Sequence, residues 1–258
     1  MKKKRTQELF DEYFSIVRRL RKECPWDREQ THRSIRHSLI EEAYEVVESI
    51  DENDLEALKG ELGDLLLHVT LHALMAEEEK AFTLDDVLQT SKEKLIRRHP
   101  HVFGNTKVRD AAEVKMNWER IKLTEGRTSV LDGVPGEMPA LLRASRLQEK
   151  VSKVGFDWKK KKDVWKKVDE ELKELHAAER SKRRHNIEAE FGDLLFALVN
   201  YARFLKVNPE ISLRHAVKKF SRRFRFVEQE LEKRGKKPGQ SSLEEMDELW
   251  NKGKRTLR

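Results

Sequence analysis

The chain repeats itself, and the repeat constrains the fold more than any other feature. Glu41-Glu42-Ala43-Tyr44-Glu45 recurs as Glu170-Glu171-Leu172-Lys173-Glu174, and Glu61-Leu62-Gly63-Asp64-Leu65-Leu66 recurs as Glu190-Phe191-Gly192-Asp193-Leu194-Leu195, both 129 residues further on. Lys94-Leu95-Ile96-Arg97-Arg98 answers to Lys219-Phe220-Ser221-Arg222-Arg223 after 125 residues, and Trp118 with Lys122 answers to Trp250 with Lys254 after 132. Short loop insertions and deletions produce such drift. Upstream, Pro25-Trp26-Asp27 matches Phe156-Asp157-Trp158 more loosely, with the order of elements kept. Between the halves, residues 124–139 carry three Gly and two Pro in a helix-poor run, the composition of a connector. Three parts are therefore expected: a first domain over 1–123, a linker over 124–139 and a second domain over 140–258.

Each half reads as helical. Ile35, Leu39, Ala43, Val46 and Ile50 recur at spacings of three and four, as do Leu55, Leu58, Leu62, Leu66, Val69 and Ala73. That period marks amphipathic helices. Asn53-Asp54 predicts a tight turn between the two, and Thr83-x-x-Asp86 and Ser242-x-x-Glu245 predict capping boxes that open later helices. A charged fraction of 39% with only 11 Gly and 6 Pro suits helices with wide solvated faces. The expected class is all-α, with two tandem bundles of four to five helices each.

The carboxylates share faces. Residues three or four apart on a helix are neighbours, which pairs Glu42 with Glu45 and Glu61 with Asp64, and in the repeat Glu171 with Glu174 and Glu190 with Asp193. If successive helices pack antiparallel, four carboxylates converge in each half. Crowded carboxylates raise one another's pKa unless a cation holds them. An oxygen-only donor set suits Mg²⁺ or Mn²⁺, with substrate phosphate completing the shell. A glutamate-rich helix face is usually only solvated surface, but ordered recurrence of ExxE and then ExxD at one offset exceeds what composition provides. Duplication explains the recurrence without requiring both sites to work. Gly63 and Gly192, inside these helices, point to close backbone approach. His68, one turn past Asp64, is a weak candidate ligand, because Ala197 stands at its place in the repeat. The absence of a Glu-x-x-His pair in the acidic motifs argues against a di-iron bundle.

Phosphate recognition needs cations. Lys94, Arg97 and Arg98, and Lys219, Arg222 and Arg223, provide them, guanidinium being suited to bidentate contact with phosphate oxygens. Trp118 and Trp250 offer aromatic planes for a nucleobase, although a core position is the commoner fate of tryptophan. A net charge of +7, from 54 basic and 47 acidic residues, weakly favours polyanions. It leaves open a non-catalytic regulatory or nucleic-acid-binding helical protein as the alternative from another class. A single cysteine, Cys24, forbids an intrachain disulfide. No signal-like apolar core follows Met1-Lys2-Lys3-Lys4-Arg5, and no window approaches a membrane span. A soluble, cytoplasmic protein is the expectation.

These motifs, with Cys24-Pro25-Trp26-Asp27, Arg97-Arg98-His99-Pro100-His101-Val102-Phe103 and Gly155-Phe156-Asp157-Trp158, resemble the MazG family of nucleoside triphosphate pyrophosphohydrolases, in its tandem-domain bacterial type. The resemblance covers nearly the whole chain. It implies Mg²⁺-dependent hydrolysis of NTPs and dNTPs to nucleoside monophosphate and pyrophosphate, broad base tolerance, a homodimer, and a role in nucleotide-pool house-cleaning. By position, Glu171, Glu174, Glu190 and Asp193 would hold metal, with Glu171 and Glu174 the catalytic candidates. Lys167, Lys219 and Arg223 would hold phosphates, and Trp250 would lie near the nucleoside. The first half matches in Glu42, Glu45, Glu61, Asp64, Lys94, Arg98 and Trp118, but carries Ser38 where the second has Lys167. That difference ranks the second half first.

Overall fold

The computed structural model describes residues 2–123, 125 and 128–257. Among them are twelve α-helices, one short 3-10 turn and no strand. They form two compact units, Met1–Trp118 and Glu119–Arg258. The first unit contains α1 (Lys2–Glu23), α2 (Pro25–Glu29), α3 (Arg36–Glu52), α4 (Leu55–Glu78), α5 (Leu84–Arg98) and α6 (Pro100–Phe103), and α7 (Ala111–Leu123) runs across the boundary. The second contains α8 (Ala140–Ser152), α9 (Lys161–Ser181), α10 (Arg184–Phe204), α11 (Pro209–Glu232) and α12 (Leu243–Thr256). In the first, α4 packs on α1 and α3; in the second, α10 packs on α8 and α9. The same helical hairpin, α3–α4 or α9–α10, is thus the centre of each half.

The hairpin turns are built from local chemistry. Asn53 ends α3 in the left-handed region at φ 56°, and the Asp54 carboxylate then accepts the amides of Glu56 and Ala57 to open α4. Asparagine tolerates that conformation better than most residues, and aspartate satisfies two otherwise orphaned N–H groups. Lys182, also at φ 56°, takes the place of Asn53 after the repeat interval of 129 residues. Lys80 and Lys206 end α4 and α10 in the same way, at φ 56° and 59°. There the amides of Ala81 and Val207 return to the carbonyls of Ala76 and Ala202, closing a Schellman pattern at both helix ends. The duplication therefore persists in backbone conformation where the side chains have diverged.

Thr83 and Asp86 form the full capping box. At Ser242 only half of it forms: the hydroxyl accepts the Glu245 amide, while the Glu245 carboxylate is engaged by Arg234 and Lys236. Two cationic partners compete successfully with one backbone amide.

The apolar stripes do not both face inward. The core of the first unit is Val17, Ile35, Leu71, Leu74 and Met75, with Tyr13, Phe14 and Leu67 against it. Ile50 on α3 and Leu55, Leu62, Leu66 and Val69 on α4, which the period places on the apolar faces of the two helices, are exposed on the single chain. Their counterparts on α10, Phe191, Leu195 and Leu198, are exposed as well. The close approach expected at Gly63 and Gly192 is also absent, since a Cβ at either would meet open space. It occurs instead at Gly253, where a Cβ would come within 3.0 Å of the Phe226 ring.

The segment 128–139 belongs with the second unit. The buried Lys150 ammonium on α8 donates to the carbonyls of Val130 at 2.8 Å and Asp132 at 2.9 Å. Replacing it leaves two carbonyls without their charged donor. Lys150→Met is expected to lower stability by roughly 1–3 kcal/mol, and urea unfolding that matches the wild type would contradict this anchoring role.

Candidate active site

The acidic motifs converge as the helical hairpins dictate. In the second unit, oxygens of Glu171 and Glu174 on α9 and of Glu190 on α10 lie within 4.8 Å of one another. In the first, Glu42 and Glu45 on α3 and Glu61 on α4 do the same. The fourth acid of each set stands beside the cluster and not within it: Asp193 shares a cavity wall with Glu171, and Asp64 acts electrostatically on Glu42 and Glu61.

The electrostatics follow from crowding. Burial, then the charges of Glu45 and Asp64, raise the Glu42 carboxyl, and burial followed by Glu45 raises Glu61. Glu174 is raised chiefly by its hydrogen bond to Glu171, with burial adding to it. A divalent cation would relieve this crowding, and the donor set of hard oxygens fits Mg²⁺ or Mn²⁺. The two clusters differ in one respect. Lys167 stands 2.7 Å from Glu171 and 2.9 Å from Glu170, and these bonds push its ammonium pKa up. Glu171, only 7% exposed, lies directly against this cation. Ser38 offers the first cluster no such charge.

Beside the second cluster lies a cavity of about 690 Å³. Lys167, Glu171 and Asp193 line it, as do the apolar Leu131, Leu147, Val151, Phe156, Trp158 and Phe196 and the polar Gln148, Asn200, Asp157 and Arg203. An apolar cleft of this size with a few polar groups is the usual form of a small-molecule site. The Arg203 guanidinium bonds Asp157, fastening the Gly155–Trp158 loop to α10, and also donates to the Asn200 side-chain carbonyl at 2.9 Å. In the first unit the positions of Phe196, Asn200 and Arg203 are held by Leu67, Leu71 and Leu74, and these form the core. A cavity wall in one half is a packed interior in the other.

The remaining sequence candidates lie elsewhere. Lys219 and Arg223 on α11 and Trp250 on α12 do not line the cavity. The Arg223 guanidinium lies 5.9 Å from the Trp250 ring centroid, its Nε buried without a hydrogen-bond partner, and Trp250 packs on Val227, Leu231 and Leu249. Lys94 and Arg98 project from α5, and the Trp118 ring meets His99 at 5.9 Å. His68 is buried beside His72 and takes no part in the acid cluster. Gln148, Asn200 and Arg203 are the site residues that sequence reading missed. The signal for the last two was their replacement of leucines in the repeat, three residues apart on one helix face.

The family model described as the MazG nucleotide pyrophosphohydrolase domain matches twice, at residues 30–103 and 160–229. The chain belongs to the MazG family. It is 47% identical over 95% of its length to the nucleoside triphosphate pyrophosphohydrolase/pyrophosphatase MazG of Thermotoga maritima, 96% of which is covered. It is 42% identical to the nucleoside triphosphate pyrophosphohydrolase of Escherichia coli, over 95% of this chain and 97% of that one. The uncharacterized protein YabN of Bacillus subtilis is 49% identical over 96% of the chain, which spans 52% of that longer protein. Both MazG segments contain the acidic hairpin, whereas α8 and the Gly155–Trp158 loop fall outside them.

Carboxyls whose folded pKa is raised stabilise the fold below the ordinary carboxylate range and lose that contribution as pH rises through the raised value. A cation that binds the deprotonated clusters restores it. Mg²⁺ is therefore expected to raise the melting temperature of metal-free protein at neutral pH, with the increment vanishing as the acids protonate. An increment independent of pH would show binding elsewhere.

Proposed function

We infer that the chain hydrolyses nucleoside triphosphates, ribo and deoxyribo alike, to nucleoside monophosphate and pyrophosphate, and that the second half does so. The observation that carries this reading is the joining of a cation-braced acid cluster to a nucleotide-sized cavity on α9 and α10. The activity named for the Thermotoga and Escherichia relatives, which match end to end, supports it.

Glu171, Glu174, Glu190 and Asp193 are the residues that would hold Mg²⁺, with Mn²⁺ as a substitute; the ion would neutralise phosphate charge and increase the acidity of water. Water adds its oxygen to phosphorus as the bond to the bridging oxygen breaks, and its proton passes to a carboxylate. Glu171 and Glu174 are the candidates for that role, the hydrogen bond from Glu171 holding the Glu174 carboxyl above its ordinary pKa. Attack at the α or the β phosphorus gives the same products. Lys167, whose bond to Glu171 a bound cation would replace, would then be able to turn to a phosphate oxygen. Lys219 and Arg223, assigned to phosphate, and Trp250, assigned to the nucleoside, stand off this cavity wall and carry those roles through the family resemblance alone.

A homodimer is part of this reading. Leu62, Leu66 and Val69 on α4 and Phe191, Leu195 and Leu198 on α10 are the same three repeat positions, exposed in both halves. Apolar stripes of that kind mark protein interfaces. No helix among the described residues is long and apolar enough to cross a membrane. A cytoplasmic role in nucleotide-pool house-cleaning fits a chain whose one cysteine is unpaired.

Incubated with a panel of NTPs and dNTPs, the protein is expected to release equimolar monophosphate and pyrophosphate with Mg²⁺ and none with chelator. Sizing should give a dimer, and Leu195→Glu a monomer. Release of orthophosphate, or indifference to chelator, contradicts the proposed reaction.

A further inference from the structure

The cavity contains a polar group for which the reaction has no use. Gln148, on α8, is 5% exposed and lines the cavity between Leu147 and Val151. Its Nε2 donates to the backbone carbonyl of Phe196 at 2.8 Å. Its Oε1 is buried and has no hydrogen-bond partner. The orientation of the amide is thereby settled, since turning it over would set two carbonyl oxygens against each other. What remains unpaired, on a residue of the cavity wall, is an acceptor that cannot become a donor. A buried acceptor left unpaired costs about 1–3 kcal/mol, which a ligand donor recovers.

Building on the nucleotide reading above, we propose that Gln148 is a specificity-determining residue, whose Oε1 accepts an N–H of the substrate's nucleobase. Phe196 follows Asp193 by one turn of α10, so the acceptor lies beyond the acid end of the cavity, on the way to Asn200. The walls there, Val151, Phe156 and Phe196, suit the face of a flat heterocycle better than a hydroxylated sugar. Asn200 complements the arrangement. Its carbonyl is occupied by Arg203, which leaves its amide nitrogen as a donor. A single fixed acceptor is also compatible with breadth, because adenine, guanine, cytosine and uracil each carry at least one N–H on an edge. It excludes a base that has none. Gln148 lies outside both segments matched by the family model.

The test compares kcat/KM for ATP, dATP and the triphosphate of unsubstituted purine riboside, whose base lacks any N–H, in wild type and Gln148→Leu. In the wild type ATP is expected to exceed the purine analogue by about tenfold, the value of one buried hydrogen bond. In Gln148→Leu that ratio should fall to about one through loss on ATP alone, with the ATP to dATP ratio unchanged. Wild type that cleaves ATP and the purine analogue equally overturns the proposal while the hydrolase reading stands, and this comparison does not depend on the variant folding. A variant that loses both substrates equally overturns it in favour of a structural role. A change confined to the ATP to dATP ratio overturns it in favour of a sugar hydroxyl. Wild type that cleaves no nucleotide overturns the hydrolase reading, and this proposal with it.

Discussion

Mutual repulsion among carboxylates held across a helical hairpin is the constraint on which the rest of this molecule depends. Three acids within 4.8 Å of one another, two from one helix and one from the next, repel one another when charged unless a counter-ion holds them. The backbone nevertheless fixes them there through left-handed turns that recur in both halves. A scaffold that persistently builds an unfavourable charge arrangement gains from whatever neutralises it, whether shared protons, the Lys167 ammonium or a divalent cation with its phosphate.

Duplication supplied two copies of that scaffold, and their interiors then diverged. In the first half, Leu67, Leu71 and Leu74 close the space beside the acids into a packed core. In the second, Phe196, Asn200 and Arg203 leave it open, the Asp157–Arg203 pair holds a loop at its edge, and Lys150 anchors the segment that brings Leu131 to the wall. The acids alone do not distinguish the halves. The volume next to them does, together with the cation at Lys167 that Ser38 fails to provide.

Much of this was legible in the residues. The repeat, the helical class, the carboxylate pairs, the Asn53-Asp54 turn and the Thr83 capping box all rest on spacings of a few residues, and local geometry determines their outcome. What escaped depends on partners distant in sequence. Gln148 is oriented by a carbonyl 48 residues away, and nothing near it in sequence marks it as a site residue. Periodicity located the apolar stripe of α4 but not what it packs against, and Leu62, Leu66 and Val69 lie exposed. Gly63 and Gly192 look alike to propensity arguments and adjoin open space, whereas Gly253 carries the close helix contact. The Ser242 box failed by half because Arg234 and Lys236 reach Glu245 from outside the motif.

The central claim is that the two acid clusters are alike in ligands and unlike in function. Steady-state pyrophosphate release from full-length Glu171→Gln and Glu42→Gln, compared with wild type at saturating Mg²⁺, tests it most directly. Loss of at least about a hundredfold in kcat is expected for Glu171→Gln, with Glu42→Gln close to wild type. The reverse pattern, or equal losses in both variants, would contradict the assignment of catalysis to the second half.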